Sequence, residues 1–359
     1  MTGRQPAPSR ASTPAAPAVA PSAAHDGRGA RRALRSALIG LSGPLAALLA
    51  LVALVALTTP HFLDLSMHDG RWTGAIVDIL QNGAPTLLVA VGMTFVVAAG
   101  GIDLSVGSIM ALAATVAALL LRDGGSTTVA VAAGLGAGLA AGLANGAMVC
   151  ALRLPPIVAT LVSLVAVRGV AQALTHDQKV PIASTSFARL TDGTLAGIPT
   201  PIVVALAAAG AAALLLRTTV AGLYVEAIGV NERAAQLSGL PVAGVRVATY
   251  ACSGLLAGVA GLLAAADIGE ADVASCGRSI ELDAILAVAI GGTALAGGAP
   301  RLAGSLIGAL FMRTLTVALL MHGVVTEHTL LVKGAAAVAV CSLQSPAMLA
   351  WRRARSGRP

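Results

Sequence analysis

Apolar runs of about 20 residues recur along almost the whole of this sequence, and that recurrence constrains the fold more than any motif does. Each run is the length one helix needs to cross about 30 Å of hydrocarbon. Read between polar or Gly/Pro breaks, the runs lie near residues 37–57, 75–98, 105–121, 127–150, 157–175, 200–216, 247–266, 284–298, 302–321 and 329–349. The expected fold class is an all-α integral membrane protein with about ten transmembrane helices. The eighth run is short and its flank, GGTALAGGAPR, is rich in helix breakers, so a broken or re-entrant helix is expected near 284–300. Such backbone persists at membrane depth only where protein buries it or a wet cavity lies beside it.

Composition agrees. Of the 359 residues, 57% are hydrophobic and 11% charged, where a soluble domain carries about 25% charged residues. The 41 glycines suit helices that pack by close backbone approach. One polytopic domain is expected over 34–350, after a Pro-, Ala-, Ser- and Arg-rich tail, 1–33, expected to be disordered, and before a basic tail, 351–359. The first run is too long for a signal-peptide core, and no small-residue cleavage site precedes Pro60, so it reads as a retained helix.

The net charge of +7 does not point to nucleic acid, because the arginines sit at segment ends. Arg31, Arg32 and Arg35 precede the first run, and Arg352, Arg353 and Arg355 follow the last. Ten spans would put both groups on one side, with Arg153, Arg217, Arg233, Arg246 and Arg301. Arg71, Arg122, Lys179, Arg189 and Arg278 fall on the other. The expected location is a bacterial cytoplasmic (inner) membrane, multi-pass, with both termini cytoplasmic. Cys150, Cys252 and Cys341 lie in apolar runs and Cys276 stands alone in a polar one, so neither a disulfide framework nor a metal site is expected.

The longest loop on the arginine-rich side, 217–246, contains NERAAQLSGL. Asn231 can cap a helix, Glu232 suits its first turn, Ala234 and Ala235 follow, and Gly239 is a stop. A short surface helix presenting Ala235 and Leu237 to a groove in another protein is expected here.

Four stretches carry a family resemblance. GMTFVVAAGGIDLSVGSIMAL (92–112), NGAMVCALRLPPIVATL (145–161), AIGVNERAAQLSGLPV (227–242) and ELDAILAVAIGGTALAGG (281–298) resemble the ribose, xylose and autoinducer-2 type ABC transporter permeases, in order, over roughly residues 37–345. The resemblance implies a type II-like importer permease of about ten spans, paired as a homodimer or heterodimer. It also implies a cytoplasmic ABC ATPase and an extracytoplasmic solute-binding protein that delivers a sugar or sugar-like solute. Asn231, Glu232, Ala234, Ala235 and Gly239 would fall on the loop that docks the ATPase. The sequence departs from the family where Ala299, Pro300 and Arg301 follow Gly298, and where Ile157 follows the paired prolines. Pentose, hexose, polyol and autoinducer-2 all stay open as cargo.

No GK[ST] triplet is present: Gln178 precedes Lys179 and Val332 precedes Lys333. ATP and magnesium are therefore expected on a partner, with no cofactor and no catalytic residue on this chain. Aromatic residues are only 2% of the chain, which argues against a stacked, tight sugar site. A weak polar path between lipid-facing helices is the alternative. Its candidate residues are Gly100, Gly101, Asp103, Ser105, Asn145, Arg168, Glu281, Asp283, Thr293 and Arg313. Asp103 and Asp283 also read as helix-start caps, Asn145 as an interhelical hydrogen bond, and the two arginines as structural pairs.

Three rival readings stand beside this one. Cys252-Ser253-Gly254 with His322 and His328 faintly resembles an intramembrane serine protease, but Ala251 stands where that motif has glycine. A secondary transporter and a branched-chain amino-acid-type ABC permease are the others; GGIDLSVGS favours the sugar branch over the last.

Overall fold

The computed structural model describes residues 27–68 and 70–344. The chain divides into two compact units, Met1–Ile39 and Gly40–Pro359. In the first, only the start of helix α1 (Gly27–Thr58) is described; that helix begins inside the stretch expected to be a disordered tail. The earlier part of that tail, and Arg352, Arg353 and Arg355, lie outside the described residues. Everything below concerns the second unit.

Among the described residues seven helices are long and apolar enough to cross a membrane: the Leu41–Thr58 part of α1, α2 (Ala75–Ala98), α4 (Thr127–Cys150), α5 (Pro156–Thr175), α7 (Thr200–Thr218), α10 (Val242–Ile268) and α12 (Leu302–Met321). The expected runs at 105–121, 284–298 and 329–349 also lie on helices, α3 (Val106–Arg122), α11 (Ile280–Ile290) and α13 (Thr326–Gln344), of which α11 covers only half its run. Helix α11 stops at Gly291-Gly292, and non-helical backbone follows to Arg301, in agreement with the expected break. The remaining helices are short: α6 (Thr185–Asp192), α8 (Val220–Val230) and α9 (Glu232–Leu237).

Local chemistry sets many of the boundaries. Pro156 opens α5, where a missing N–H costs nothing, and Ser126 caps α4 by accepting from the Val129 N–H at 3.4 Å. Among the described residues three two-stranded antiparallel ladders lie in the connections. Strand β1 (Ser66–His68) pairs with β2 (Arg71–Thr73), β3 (Val180–Pro181) with β6 (Glu270–Ala271), and β4 (Thr194–Leu195) with β5 (Ile198–Pro199).

Helices α2 and α10 form the centre, with 78% and 61% of their apolar windows buried, while α4, α5 and α7 stay at 28% or less and turn apolar side chains outward. Leu161, Val162, Val165 and Leu174 of α5 are exposed, as expected when the solvent is lipid. Glycines every fourth residue, Gly134, Gly138, Gly142 and Gly146, bring α4 backbone to backbone with α10. A Cβ on Gly138 would come 2.6 Å from the Gly254 carbonyl oxygen, and one on Gly146 would come 2.7 Å from Val247 Cα. Without a hydrophobic drive between helices in lipid, such van der Waals contact is what holds them together.

Candidate functional site

The break between α2 and α3 is closed by a buried carboxylate. Asp103 is fully buried, and its Oδ1 accepts from the Ser105 N–H at 3.0 Å and the Ser105 hydroxyl at 2.6 Å. Its Oδ2 accepts from Ser253 Oγ of α10 at 2.9 Å, and Asn145 of α4 donates to Ser105 Oγ at 2.7 Å. The start of α3 is thus tied to α4 and α10 through groups 40 and 150 residues away in sequence. This agrees with the cap reading of Asp103 and the interhelical reading of Asn145. Gly101 is required beside them, because a Cβ there would lie 2.5 Å from the Tyr250 hydroxyl, and Gly100 takes a left-handed φ of +79°. Ser253, the hydroxyl of the protease-like triplet, is committed to Asp103, and the His322 ring bonds the Ala318 carbonyl at 2.8 Å, so the two do not pair.

The other candidates divide. Arg168 donates to the carbonyls of Val273 (2.5 Å) and Cys276 (3.3 Å) and to Ser108 Oγ (3.3 Å), which is structural pairing. Burial pushes the nearby Cys276 thiol up to about 12, keeping it protonated. Glu281 lies against Gly107, where a Cβ would come 2.8 Å from Glu281 Oε2. Asp283 is not a cap, as the sequence suggested: no side-chain bond caps α11, and Asp283 instead accepts from Lys333 Nζ of α13 at 2.8 and 3.0 Å. Buried Thr293 accepts from the Arg301 N–H at 3.0 Å and so closes the break after α11.

The stretch 217–246 holds two short helices, α8 and α9, between the end of α7 and the start of α10. Asn231 caps α9 as expected, accepting from the Ala234 N–H at 3.0 Å. Gly239 takes φ +80°, the left-handed turn that ends a helix without a Cβ penalty. One expectation is corrected here. Ala235 is not offered outward: it is 4% exposed and packs on Ile228 and Val242 of the same chain. The outward apolar group is Leu237, 89% exposed. Glu232 receives both ends of the Arg246 guanidinium, at 2.7 and 2.9 Å, a fork that fixes α9 on α10. Behind it, Gly229 of α8 lies against the end of α2 and the break after α11, where the Gly298 N–H donates to the Ala98 carbonyl at 3.0 Å. A cleft of about 560 Å³ opens beside this fork, with Arg153, Pro155 and Gln236 in its walls.

At the far end of α10 a second cavity, about 190 Å³, lies between α2, α6, α7, α10 and α12. Its polar walls are Gln81, Asn82, Thr191, Asp267 and Arg313. Among the described residues the buried Arg313 Nε has no hydrogen-bond partner. Of these residues only Arg313 stands out in the sequence, as a charge within an apolar run. Gln81, Asn82, Thr191 and Asp267 sit near run ends, where polar residues are ordinary, and only folding shows that they converge. Lys333 was legible as a charge in an apolar run, but its partner was not.

The matches to known proteins agree on a transport permease and differ in the cargo that they name. The family model described as branched-chain amino acid transport system / permease component matches residues 75–341. The galactofuranose transporter permease protein of Escherichia coli is 41% identical over 289 residues, covering 80% of this chain and 85% of the relative. The fructose import permease protein of Bifidobacterium longum is 34% identical over 291 residues, 79% of this chain and 82% of the relative. The ribose import permease protein of Escherichia coli is 38% identical over 262 residues, 72% and 81% respectively. No solved structure matches the chain. With apolar helices of spanning length, a helix break at the place expected after α11 and a family match over most of its length, this multi-pass membrane chain belongs to the branched-chain amino acid transport system / permease component family.

Proposed function

We propose that the chain is the permease subunit of a bacterial inner-membrane ABC importer for a sugar or sugar-like solute. The observation that carries this reading is the similarity to three permeases named for galactofuranose, fructose and ribose, each matched over at least 81% of its own length. In this reading an extracytoplasmic binding protein supplies the solute, and two permease copies, identical or different, form the path within membrane lipid. ATP and magnesium are handled by a partner ATPase that docks on α9. The seating of α8 and α9 supports that docking role. Glycine packing at Gly229 and the Glu232–Arg246 fork join the loop rigidly to α2, α10 and the break after α11, so a push on α9 reaches the membrane helices. Exposed Leu237 is the anchor proposed for the ATPase groove.

Ten crossings with both termini in the cytoplasm complete the proposal, with α3, α11 and α13 added to the seven longer helices. A reporter fused after Trp351 that is active only when exported should stay silent; an active one sinks the ten-span arrangement.

The family description supports a second reading, a branched-chain amino acid as cargo. A thermal-shift screen of the cognate binding protein decides between them, since a ligand raises the melting temperature of the state it binds. Stabilisation by D-ribose, D-fructose or a related sugar is expected; stabilisation by L-leucine alone moves the assignment to the second reading. On the permease itself, Leu237→Glu should abolish co-purification with the ATPase while leaving the yield of folded permease unchanged. Normal co-purification would remove α9 as the docking element.

A further inference from the structure

We propose that the cavity lined by Gln81, Asn82, Thr191, Asp267 and Arg313 is a weak binding subsite for a neutral, monosaccharide-sized polyol within the permease. This deepens the sugar-importer reading and rests on it.

The case begins with hydrogen bonds left unmade. The Arg313 guanidinium carries five N–H donors on a helix that crosses the membrane, and its Nε is buried with no partner. A membrane-embedded charge without a partner is costly and marks function more often than structure. An opposite charge is close at hand, because Asp267 lines the same cavity, yet among the described residues the two form no ion pair within 4.0 Å. The Arg313 stem passes close over Gly83 of α2: its Cγ lies 3.1 Å from where a Cβ on Gly83 would sit. The two charges therefore face a shared space across which a hydroxyl-bearing ligand can bridge them.

The neighbouring groups are half-committed in a complementary way. Gln81 spends its Oε1 on Arg71 at 2.7 Å, leaving its amide N–H groups. Asn82 spends its Nδ2 on the Asp78 carbonyl at 3.0 Å, leaving its Oδ1. Thr191 gives its proton to the Ala188 carbonyl at 3.1 Å, leaving an acceptor. Pro85 inside α2 has no N–H to offer the Gln81 carbonyl, and Pro85 also lines the cavity. Donors from Arg313 and Gln81 thus alternate with acceptors from Asn82, Thr191 and Asp267, with formal charges that cancel. A molecule whose every hydroxyl both donates and accepts meets that arrangement. The volume of about 190 Å³ equals that of about six waters at 30 Å³ each, the scale of one sugar ring. No aromatic ring lines the cavity, so affinity is low, as a conducting site requires.

The test uses the complete importer, with its ATPase and binding protein, in proteoliposomes, and labelled D-ribose, D-fructose and L-leucine as probes. Arg313→Gln and Asp267→Asn should each lower the saturated uptake rate about tenfold, the loss expected for one hydrogen bond to a charged group. They should also change the ratio of ribose to fructose uptake, while the half-saturating concentration of loaded binding protein and the yield of assembled complex stay as in wild type. Arg313→Lys should restore part of the rate. Asn82, exposed at the mouth, guards against misfolding: Asn82→Ala must change the same ratio even where Arg313→Gln does not assemble. Sugar uptake with an unaltered ratio in Asn82→Ala and Asp267→Asn overturns the subsite alone. Leucine uptake without sugar uptake by the wild-type importer overturns the sugar reading, and the subsite with it.

Discussion

The two ends of α10 are held by different means. At the Val242 end the contacts are between backbones. Gly229 lies against the Ala98 carbonyl and the Gly298 amide, and a forked ion pair, Glu232–Arg246, is added on top. At the Ile268 end a short backbone ladder is flanked by ion pairs. Lys179 reaches Glu270 at 2.6 Å and Asp272 at 3.4 Å over a two-residue ladder, and one turn inside α11 Asp283 meets Lys333. A backbone seat transmits displacement because nothing in it can rotate away, whereas charges on long side chains leave room for a mouth and a cavity. The end proposed to receive force is thus the interlocked one, and the end proposed to receive solute is the looser one.

If that contrast is right, substitutions should rank by burial at the charged end and by bulk at the interlocked end. Lys333→Met should have the largest effect. The pair is 9% and 18% exposed, so removing the cation strands a buried carboxylate at a cost of about 3–5 kcal/mol. A large fall in the thermal midpoint of detergent-solubilised protein is expected, with most of it recovered in Lys333→Met/Asp283→Leu. An unchanged midpoint in the single variant would show that the pair carries no structural weight.

Gly229→Val comes next. Its Cβ would overlap the Ala98 carbonyl and the Gly298 amide, and overpacking costs about 1–3 kcal/mol. Less folded protein and loss of ATP-coupled uptake are expected. Gly210→Val in α7, where nothing lies within 4 Å of the new Cβ, should be silent. Equal behaviour of the two would erase the distinction between the ends.

Glu232→Gln should cost about 1 kcal/mol at most, because Glu232 is 43% exposed and solvent screens the fork. The melting temperature should fall by about 2 °C, and uptake should fall further than stability does if the fork transmits force. A loss of stability with normal uptake would make it a simple brace.

Lys179→Gln should have the smallest effect. Hydrogen bonds donated to Glu270 and then Asp272 raise the Lys179 pKa, so that interaction is present below the unfolded lysine value and lost as pH rises through the folded one. Burial works against the Asp272 carboxylate, but bonds from Ser275, the Ala274 N–H and Lys179 outweigh it and hold its pKa low, so its share is lost only in acid. From about pH 5 to about pH 9 both stay charged, and the variant should melt with wild type across that window. A clear difference there would mean that this exposed pair contributes more than surface pairs do.

Much of the architecture was legible in the residues. Apolar runs announced the helices, Asn231 its cap, and GGTALAGGAPR the break after α11, because each is a local preference of a few adjacent residues. The Ala235 face was misread for a related reason. Which side of a six-residue helix turns inward depends on Ile228 and Val242 packing against it, and spacing within NERAAQLSGL does not contain that. The four-residue glycine spacing of α4 was visible, but not that its partner would be Gly254 and Val247 of α10.

By itself the sequence determined the solvent, the fold class and the family. Burying backbone polar groups in hydrocarbon leaves helices as the form these runs can take, and motif order is preserved along the chain whatever the packing. Tertiary structure alone decided which polar groups are spent and which are left over. Asp103 finds Ser253 across 150 positions and Asp283 finds Lys333 across 50, while the Arg313 Nε finds no hydrogen-bond partner among the described residues and Arg313 lines a cavity instead. A hydrogen bond exists only between groups within about 3 Å of each other, and distances of that kind are set by how helices pack.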